Sequence, residues 1–141
     1  MKEVAINEAI NNFNNGYSCS QAILMAYCEQ YGMTKDDARK IARCFGGGMG
    51  RTCQTCGAIT GAFIVLGLKN DDIDNNLAKN KTYEEVQLFA KRFKEKFQSL
   101  NCKDLLSCDL STTEGQLYYK ENKLNGQCEK FVEYAAELLE K

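Results

Sequence analysis

The chain has 141 residues, with 18 Lys and Arg against 19 Asp and Glu and a formal net charge of −1. We expect residues 1–141 to form a single domain, which at this length can bury its own core. The near-neutral charge gives no overall field that would attract nucleic acid or an anionic membrane. The longest uncharged stretch, from Gly57 to Leu68, is too short to span a bilayer, and no signal-peptide pattern opens the chain. We therefore expect a soluble, cytoplasmic protein.

Two residue types narrow the chemistry further. The chain has no histidine, which excludes a Cys–His catalytic pair, a Cys₂His₂ zinc site and a His-ligated haem. It has eight cysteines. In a reducing compartment they indicate metal or redox chemistry rather than a structural disulfide framework.

Apolar residues at helical spacing, bounded by capping residues and by Gly or Asn, predict about six or seven helices. The predicted segments are 2–14, 19–31, 35–44, 56–68, 82–100, 112–120 and 127–140. Four of the predicted helices begin with a Ser or Thr that is followed three residues later by Gln, Asp or Glu, which is a capping pattern. These capping residues are Ser18, Thr34, Thr82 and Ser111. The polar segment 69–80 is predicted to be a surface loop. No strand alternation occurs, so the predicted fold is all-α, a bundle around the apolar helix 56–68.

The predicted central segment joins a glycine-rich loop to that apolar helix. The glycines of 46–50 can adopt positive φ and allow close approach of another backbone. Gly57 and Gly61 lie on one face of the helix, which predicts a close crossing with a second helix.

Cys56 is predicted to lie in the first turn of the apolar helix. Unpaired N–H groups and the helix dipole favour a thiolate at that position. Two interpretations remain open from position alone: a reactive or metal-ligating thiolate, and a small buried apolar residue.

Two more cysteines are predicted in first turns, Cys19 and Cys128, whereas Cys102 is predicted in irregular chain after the fifth helix. Helix ends gather at the two ends of a bundle. We therefore expect that these three cysteines and Cys56 can meet in one place. Cys28, deep in the second helix among bulky apolar neighbours, is predicted to be core.

Five motifs extend this pattern along the chain. They are GYSCSQAIL around Cys19, GGGMGR at 46–51, CGAITG at 56–61, NCKDLLSCDLST from Asn101 and GQCEKFVEYAAELL from Gly126. The pattern resembles the redox-active family named C_GCAxxG_C_C over nearly the whole chain. The resemblance implies redox activity and, carried over by position, the family cysteines Cys19, Cys56, Cys102 and Cys128. Cys28, Cys44, Cys53 and Cys108 lie outside the family pattern.

The first functional hypothesis is thiol–disulfide chemistry or electron transfer by clustered thiols. Cys53 and Cys56 form a C-x-x-C, in which Cys56 is the predicted attacking thiolate, and Cys53 or another family cysteine resolves the mixed disulfide. The predicted binding residues, which would stabilise negative charge, are Gly47, Gly48, Gly50, Arg51 and Gly57.

The alternative is a binding protein in which Cys19, Cys56, Cys102 and Cys128 hold an iron–sulfur cluster or zinc. A third interpretation treats the thiols as core packing. The expected partner is a redox protein or a small-molecule oxidant or reductant. The sequence leaves open the substrate, the disulfide pairing, a homodimer, and whether the protein is a thiol–disulfide oxidoreductase.

Overall fold

The computed structural model describes residues 2–71 and 73–141, and over these it contains eight helices of five or more residues, a short kinked helical turn at Gly46–Met49 and no strand. The helices are α1 Lys2–Asn14, α2 Cys19–Tyr27, α3 Lys35–Ala42, α4 Gly57–Lys69, α5 Asn75–Phe97, α6 Cys102–Leu106, α7 Thr113–Glu121 and α8 Asn125–Leu139. Short 3₁₀ turns extend α2 over Cys28–Tyr31 and α3 over Arg43–Phe45. The predicted all-α class is confirmed, and α6 is the helix that the sequence did not predict.

Helices α2 and α4 form the centre of the bundle. Helix α2 packs on α1, α3, α4 and α8, and α4 also contacts α5 and α8. A Cβ added at Gly61 would lie 2.8 Å from the backbone oxygen of Ser20 on α2, and one at Gly57 would lie 3.2 Å from the Ser20 nitrogen. The predicted close crossing is therefore confirmed, because neither position has room for a larger residue.

Several predicted starts are correct in the structure. Ser18 and Gln21 form the predicted capping box, and Cys19 is the first residue of α2. Thr34 accepts a hydrogen bond from the Asp37 N–H and begins α3. Each cap satisfies backbone N–H groups that have no partner within the helix.

Two of the four starts predicted from capping residues are wrong. The polar segment 69–80 is not wholly a loop, because the Asp74 carboxylate accepts from the N–H groups of Asn76 and Leu77 and begins α5 at Asn75. Thr82 lies inside α5, where its hydroxyl donates to Ala78 O at 2.7 Å. The first turn of α5 is largely exposed, so it carries no apolar pattern to reveal it. Asp72 of this segment lies outside the described residues.

The second wrong start differs by one residue. The cap of α7 is Thr112, whose hydroxyl accepts from the Gly115 N–H at 2.9 Å, rather than Ser111. Within the described ranges, no helix is long and apolar enough to cross a membrane.

An aromatic cluster fills the contact between α5 and α8. Its members are Phe89, Phe93, Phe97, Phe131 and Tyr134. The Phe93 ring is fully buried, and its centroid lies 5.0 Å from that of Phe97 and 6.2 Å from that of Phe131. Tilted and edge-to-face contacts of this kind stabilise a core beyond simple area burial.

Candidate functional site

Four cysteines from four helix starts line one cavity of about 740 Å³. Cys19 and Cys102 are the first residues of α2 and α6, Cys56 is the N-cap of α4, and Cys128 is in the first turns of α8. All four are buried, with exposed fractions of 4 to 9 %. The structure therefore brings the family cysteines together, and Cys102 too begins a helix rather than lying in irregular chain.

A short backbone ladder brings Cys56 and Cys102 to the same wall of the cavity. Thr55 and Asn101 form an isolated antiparallel bridge. The N–H of Cys56 donates to Leu100 O at 2.9 Å, and the N–H of Cys102 donates to Gln54 O at 2.6 Å. These bonds fix the two cysteines side by side although they are far apart in sequence.

Two glycines leave the space that these thiols occupy. Gly48 has φ +69°, and a Cβ there would lie 2.7 Å from Cys102 Cβ. A Cβ at Gly57 would lie 3.3 Å from Cys19 Cβ. The glycine turn and the start of α4 are thus close-packed against cysteine side chains, which explains the glycines in both motifs.

Cys19 and Cys128 form an interacting thiol pair. The interaction with the Cys19 thiol lowers the pKa of Cys128, and the same interaction, together with burial, raises the pKa of Cys19. The Tyr119 hydroxyl donates to Cys128 Sγ at 3.4 Å and lowers the pKa of Cys128 further, against the effect of burial. Two neighbouring groups, the Cys19 thiol and the Tyr119 hydroxyl, therefore favour the Cys128 thiolate.

The prediction that Cys56 is the acidic thiol is wrong in direction. Burial raises the pKa of Cys56 to about 12, although hydrogen bonds from the backbone of Ala58 and Ile59 act in the opposite sense. Burial also raises the pKa of Cys102, and its neighbour Cys53 adds to the effect. The helix start lowers the pKa of Cys56 less than the loss of water raises it.

The C-x-x-C motif predicted that Cys53 acts with Cys56, but in the structure the Cys53 thiol has other neighbours. Its thiol interacts with Cys102, donates to Cys108 O at 3.5 Å, and accepts from the Leu110 N–H at 3.4 Å. Cys53 does not line the cavity, so the structure does not place it there with Cys56. Its own φ of +60° is unusual for a residue with a side chain.

The other cysteines outside the family pattern have separate environments. Cys28 is fully buried in the core, as predicted. Cys44 is exposed, and Cys108 is half-buried beside Cys53. All eight cysteines lie among the described residues, and each is a free thiol.

The predicted binding residues all line the cavity: Gly47, Gly48, Gly50, Arg51 and Gly57. The backbone N–H groups of Gly50 and Arg51 do not point to a thiol, because they donate to Gly46 O at 2.8 and 3.2 Å. These bonds close the turn on itself. Gly47 and Arg51 adjoin, since a Cβ at Gly47 would lie 2.9 Å from Arg51 Cγ.

The sequence did not predict several other residues that line the cavity. They include five residues of α7, Thr113, Gln116, Leu117, Tyr119 and Lys120, and Arg43 from the turn after α3. The spacing of Thr113, Gln116, Leu117 and Lys120 marks one helical face, which was the available signal. No pattern in the sequence connects Tyr119 with Cys128.

The metal-binding alternative finds no matching arrangement. Within 2–71 and 73–141, no group of three or more Cys, Asp or Glu side chains is placed so that it could hold a metal ion. The four cavity thiols share one space without surrounding one point.

The fold and the cavity define an all-helical protein with a thiol-lined site. The chain belongs to the C_GCAxxG_C_C family, described as "Putative redox-active protein", whose model matches residues 17–141. The family name writes the central motif as GCAxxG, and this chain has its first two residues in the other order, as Cys56-Gly57. No curated protein and no solved structure matches the chain.

Proposed function

We propose that this protein carries out thiol–disulfide exchange with Cys128 as the attacking thiolate and Cys19 as the resolving thiol. The observation that carries the proposal is the cavity, into which four separate helix starts bring cysteines. Within it, the Cys19 and Cys128 thiols interact with each other, and Cys128 is the thiol whose pKa is lowered. The thiolate is the nucleophile in disulfide exchange, so Cys128 is the better attacking group than Cys56.

The exchange follows from the positions of the two thiols. The Cys128 thiolate attacks one sulfur of a substrate disulfide, whose S–S bond breaks and releases one thiolate. Cys19 then gives its proton to the released thiolate and attacks Cys128 Sγ in the mixed disulfide. The bond between Cys128 Sγ and the second substrate sulfur breaks, that sulfur leaves as a thiolate, and the protein holds a Cys19–Cys128 disulfide. Two electrons have passed from the protein to the substrate, and the reverse sequence oxidises a dithiol partner.

Cys56 and Cys102 line the same cavity and are assigned a supporting role. Both have raised pKa values, so they stay protonated near neutral pH. A protonated thiol can donate to a neighbouring thiolate, and Cys56 interacts electrostatically with Cys128. In this proposal they stabilise the reacting pair, whereas Cys53 interacts with Cys102 and does not line the cavity.

Thiol mapping at controlled redox potential tests the proposal. The reduced protein is equilibrated with mixtures of bis(2-hydroxyethyl) disulfide and 2-mercaptoethanol, the remaining thiols are alkylated, and the peptides are identified by mass spectrometry. We expect reversible loss of two thiols and a peptide pair joined through Cys19 and Cys128. Cys128→Ser and Cys19→Ser should each abolish this pair.

Cys44→Ser is the matched control, because Cys44 is exposed and does not line the cavity. That variant should still form the Cys19–Cys128 pair at the same potential. The absence of reversible thiol loss at every potential would exclude the proposed chemistry. A disulfide confined to Cys53 and Cys102 would exclude the assigned pair.

A further inference from the structure

Among the residues that the structure describes, the charged side chains that line the thiol cavity are all cationic. They are Arg43, Arg51 and Lys120, and none of the described Asp or Glu residues lines it. The chain as a whole has slightly more acidic than basic residues, 19 against 18, so this lining is not a consequence of overall composition. A concave surface lined by one sign of charge concentrates ligands of the opposite sign.

These three cations also have no ion-pair partner among the described residues. In the described part of the chain, ion pairs are made by Lys35, Arg39, Lys40 and Lys69. In that part of the chain, no ion pair and no side-chain hydrogen bond is made by Arg43, Arg51 or Lys120. Their charge is therefore available to a ligand.

The cationic side chains and the thiols lie at different depths in the cavity. Arg43, Arg51 and Lys120 are exposed, so they lie at the mouth, whereas the four cysteines are buried and form the floor. Apolar side chains line the space between them, including Leu106, Leu110 and Phe131. A volume of about 740 Å³ is that of a pocket for a small molecule rather than for a folded partner.

We propose that the cavity takes a small disulfide that carries carboxylate groups. The disulfide reaches Cys128 at the floor, and the carboxylates remain at the mouth against Arg43, Arg51 and Lys120. This inference rests on the proposed thiol–disulfide exchange and specifies its substrate class. The electron balance is that of the exchange itself: the substrate S–S bond breaks, and a Cys19–Cys128 bond forms.

Three disulfides that differ in charge test the proposal. The probes are 3,3′-dithiodipropionate with two carboxylates, the neutral bis(2-hydroxyethyl) disulfide, and cystamine with two ammonium groups. The rate at which each oxidises the reduced protein is divided by its rate with 2-mercaptoethanol, which removes differences in intrinsic reactivity. At low ionic strength we expect the dianion to react roughly tenfold faster than the neutral probe and the dication to react slowest. Added salt should reduce the difference.

Single substitutions test which cations cause the preference for the anionic disulfide. Arg43→Gln, Arg51→Gln and Lys120→Gln should each reduce the ratio of the dianion's rate to the neutral probe's rate, because each removes one cation from the cavity lining. Lys91→Gln removes an exposed charge on α5 outside the cavity and is the matched control. It should leave all three rates unchanged.

The outcomes separate this inference from the function on which it rests. Equal normalised rates for the three probes would overturn the charge preference and leave the exchange chemistry intact. Variants that slow all three probes by one factor would also overturn it, because the cations would then act on the thiolate. Failure of every probe to oxidise the protein would overturn the proposed function itself.

Discussion

Helix α8 contributes to two regions of opposite character. Near its start, Cys128 belongs to a cavity lined by thiols and cations, and three residues later Phe131 belongs to the aromatic cluster as well as to the cavity wall. The aromatic cluster is closed and close-packed, with Phe93 fully buried. The thiol cavity leaves about 740 Å³ beside buried side chains that interact through hydrogen bonds and charge.

The difference indicates that one region mainly stabilises the fold and the other holds the reactive groups. Burial of large aromatic side chains is a main source of folding free energy. A cavity forgoes such contacts, so the residues around it contribute less per residue. We infer that the aromatic cluster supplies much of the stability that allows the neighbouring site to remain open.

The largest expected effect on stability comes from a substitution in the aromatic cluster. Phe93→Ala should lower the free energy of unfolding by about 3–5 kcal/mol, because it removes a fully buried ring that contacts four other aromatic side chains. Urea unfolding followed by circular dichroism measures the loss. Per folded molecule, the rate of Cys19–Cys128 disulfide formation should change little.

Leu77→Ala is the control for Phe93→Ala, because Leu77 is on the same helix and 59 % exposed. It should change the free energy of unfolding by no more than about 0.5 kcal/mol. A loss below about 1 kcal/mol for Phe93→Ala, or equal losses for the two variants, would contradict the assigned role of the aromatic cluster.

A smaller effect on stability, with a larger effect on the site, is expected for Gly48→Ala. The residue has φ +69°, and its new Cβ would lie 2.7 Å from Cys102 Cβ and 2.8 Å from the backbone of Gln54. The left-handed conformation alone costs about 1–2 kcal/mol for alanine, and the backbone contact adds to it. We expect a loss of about 2–3 kcal/mol in urea unfolding and altered alkylation of Cys102.

Gly67→Ala makes the same chemical change at a place where it should help. Gly67 lies in α4 with nothing within 4 Å of its added Cβ. The substitution should stabilise the protein by up to about 1 kcal/mol, since alanine is the better helix former. Equal effects of the two substitutions would show that the space beside Cys102 is not what requires glycine at position 48.

The same two regions show how far the sequence alone predicts this protein. Phe89, Phe93 and Phe97 recur every four residues, so the apolar face of α5 is evident from local spacing. The start of α5 was not evident from the sequence, because its first turn is exposed and its cap is a single Asp. Local patterns therefore predicted helices and cores and missed boundaries that depend on one side chain.

The thiol cavity was predictable in part. The helix-start positions of Cys19, Cys56 and Cys128 predicted that they could meet, and the structure places them in one cavity. The charge state of Cys56 was not predictable, because it depends on burial by chain segments far away in sequence. The Tyr119 contact was hidden for the same reason: it depends on how α7 turns towards α8.

The smallest expected effect concerns that contact. Tyr119→Phe removes the hydroxyl that donates to Cys128 Sγ at 3.4 Å, so the pKa of Cys128 should rise. Below that pKa the fraction of thiolate falls, and alkylation of Cys128 by iodoacetamide should slow by about threefold. Above the pKa in both proteins, the variant should react as fast or slightly faster, since a more basic thiolate is the better nucleophile.

Tyr118→Phe controls for the loss of a hydroxyl, because Tyr118 is 48 % exposed and adjacent in sequence. Its pH–rate profile for Cys128 should match that of the unaltered protein. The direction of the change with pH separates an electrostatic contact from a purely structural one. Loosened packing would raise the rate at every pH, whereas loss of a donor lowers it at low pH and leaves or raises it at high pH. A Tyr119→Phe profile displaced to lower pH would show that the hydroxyl does not stabilise the Cys128 thiolate.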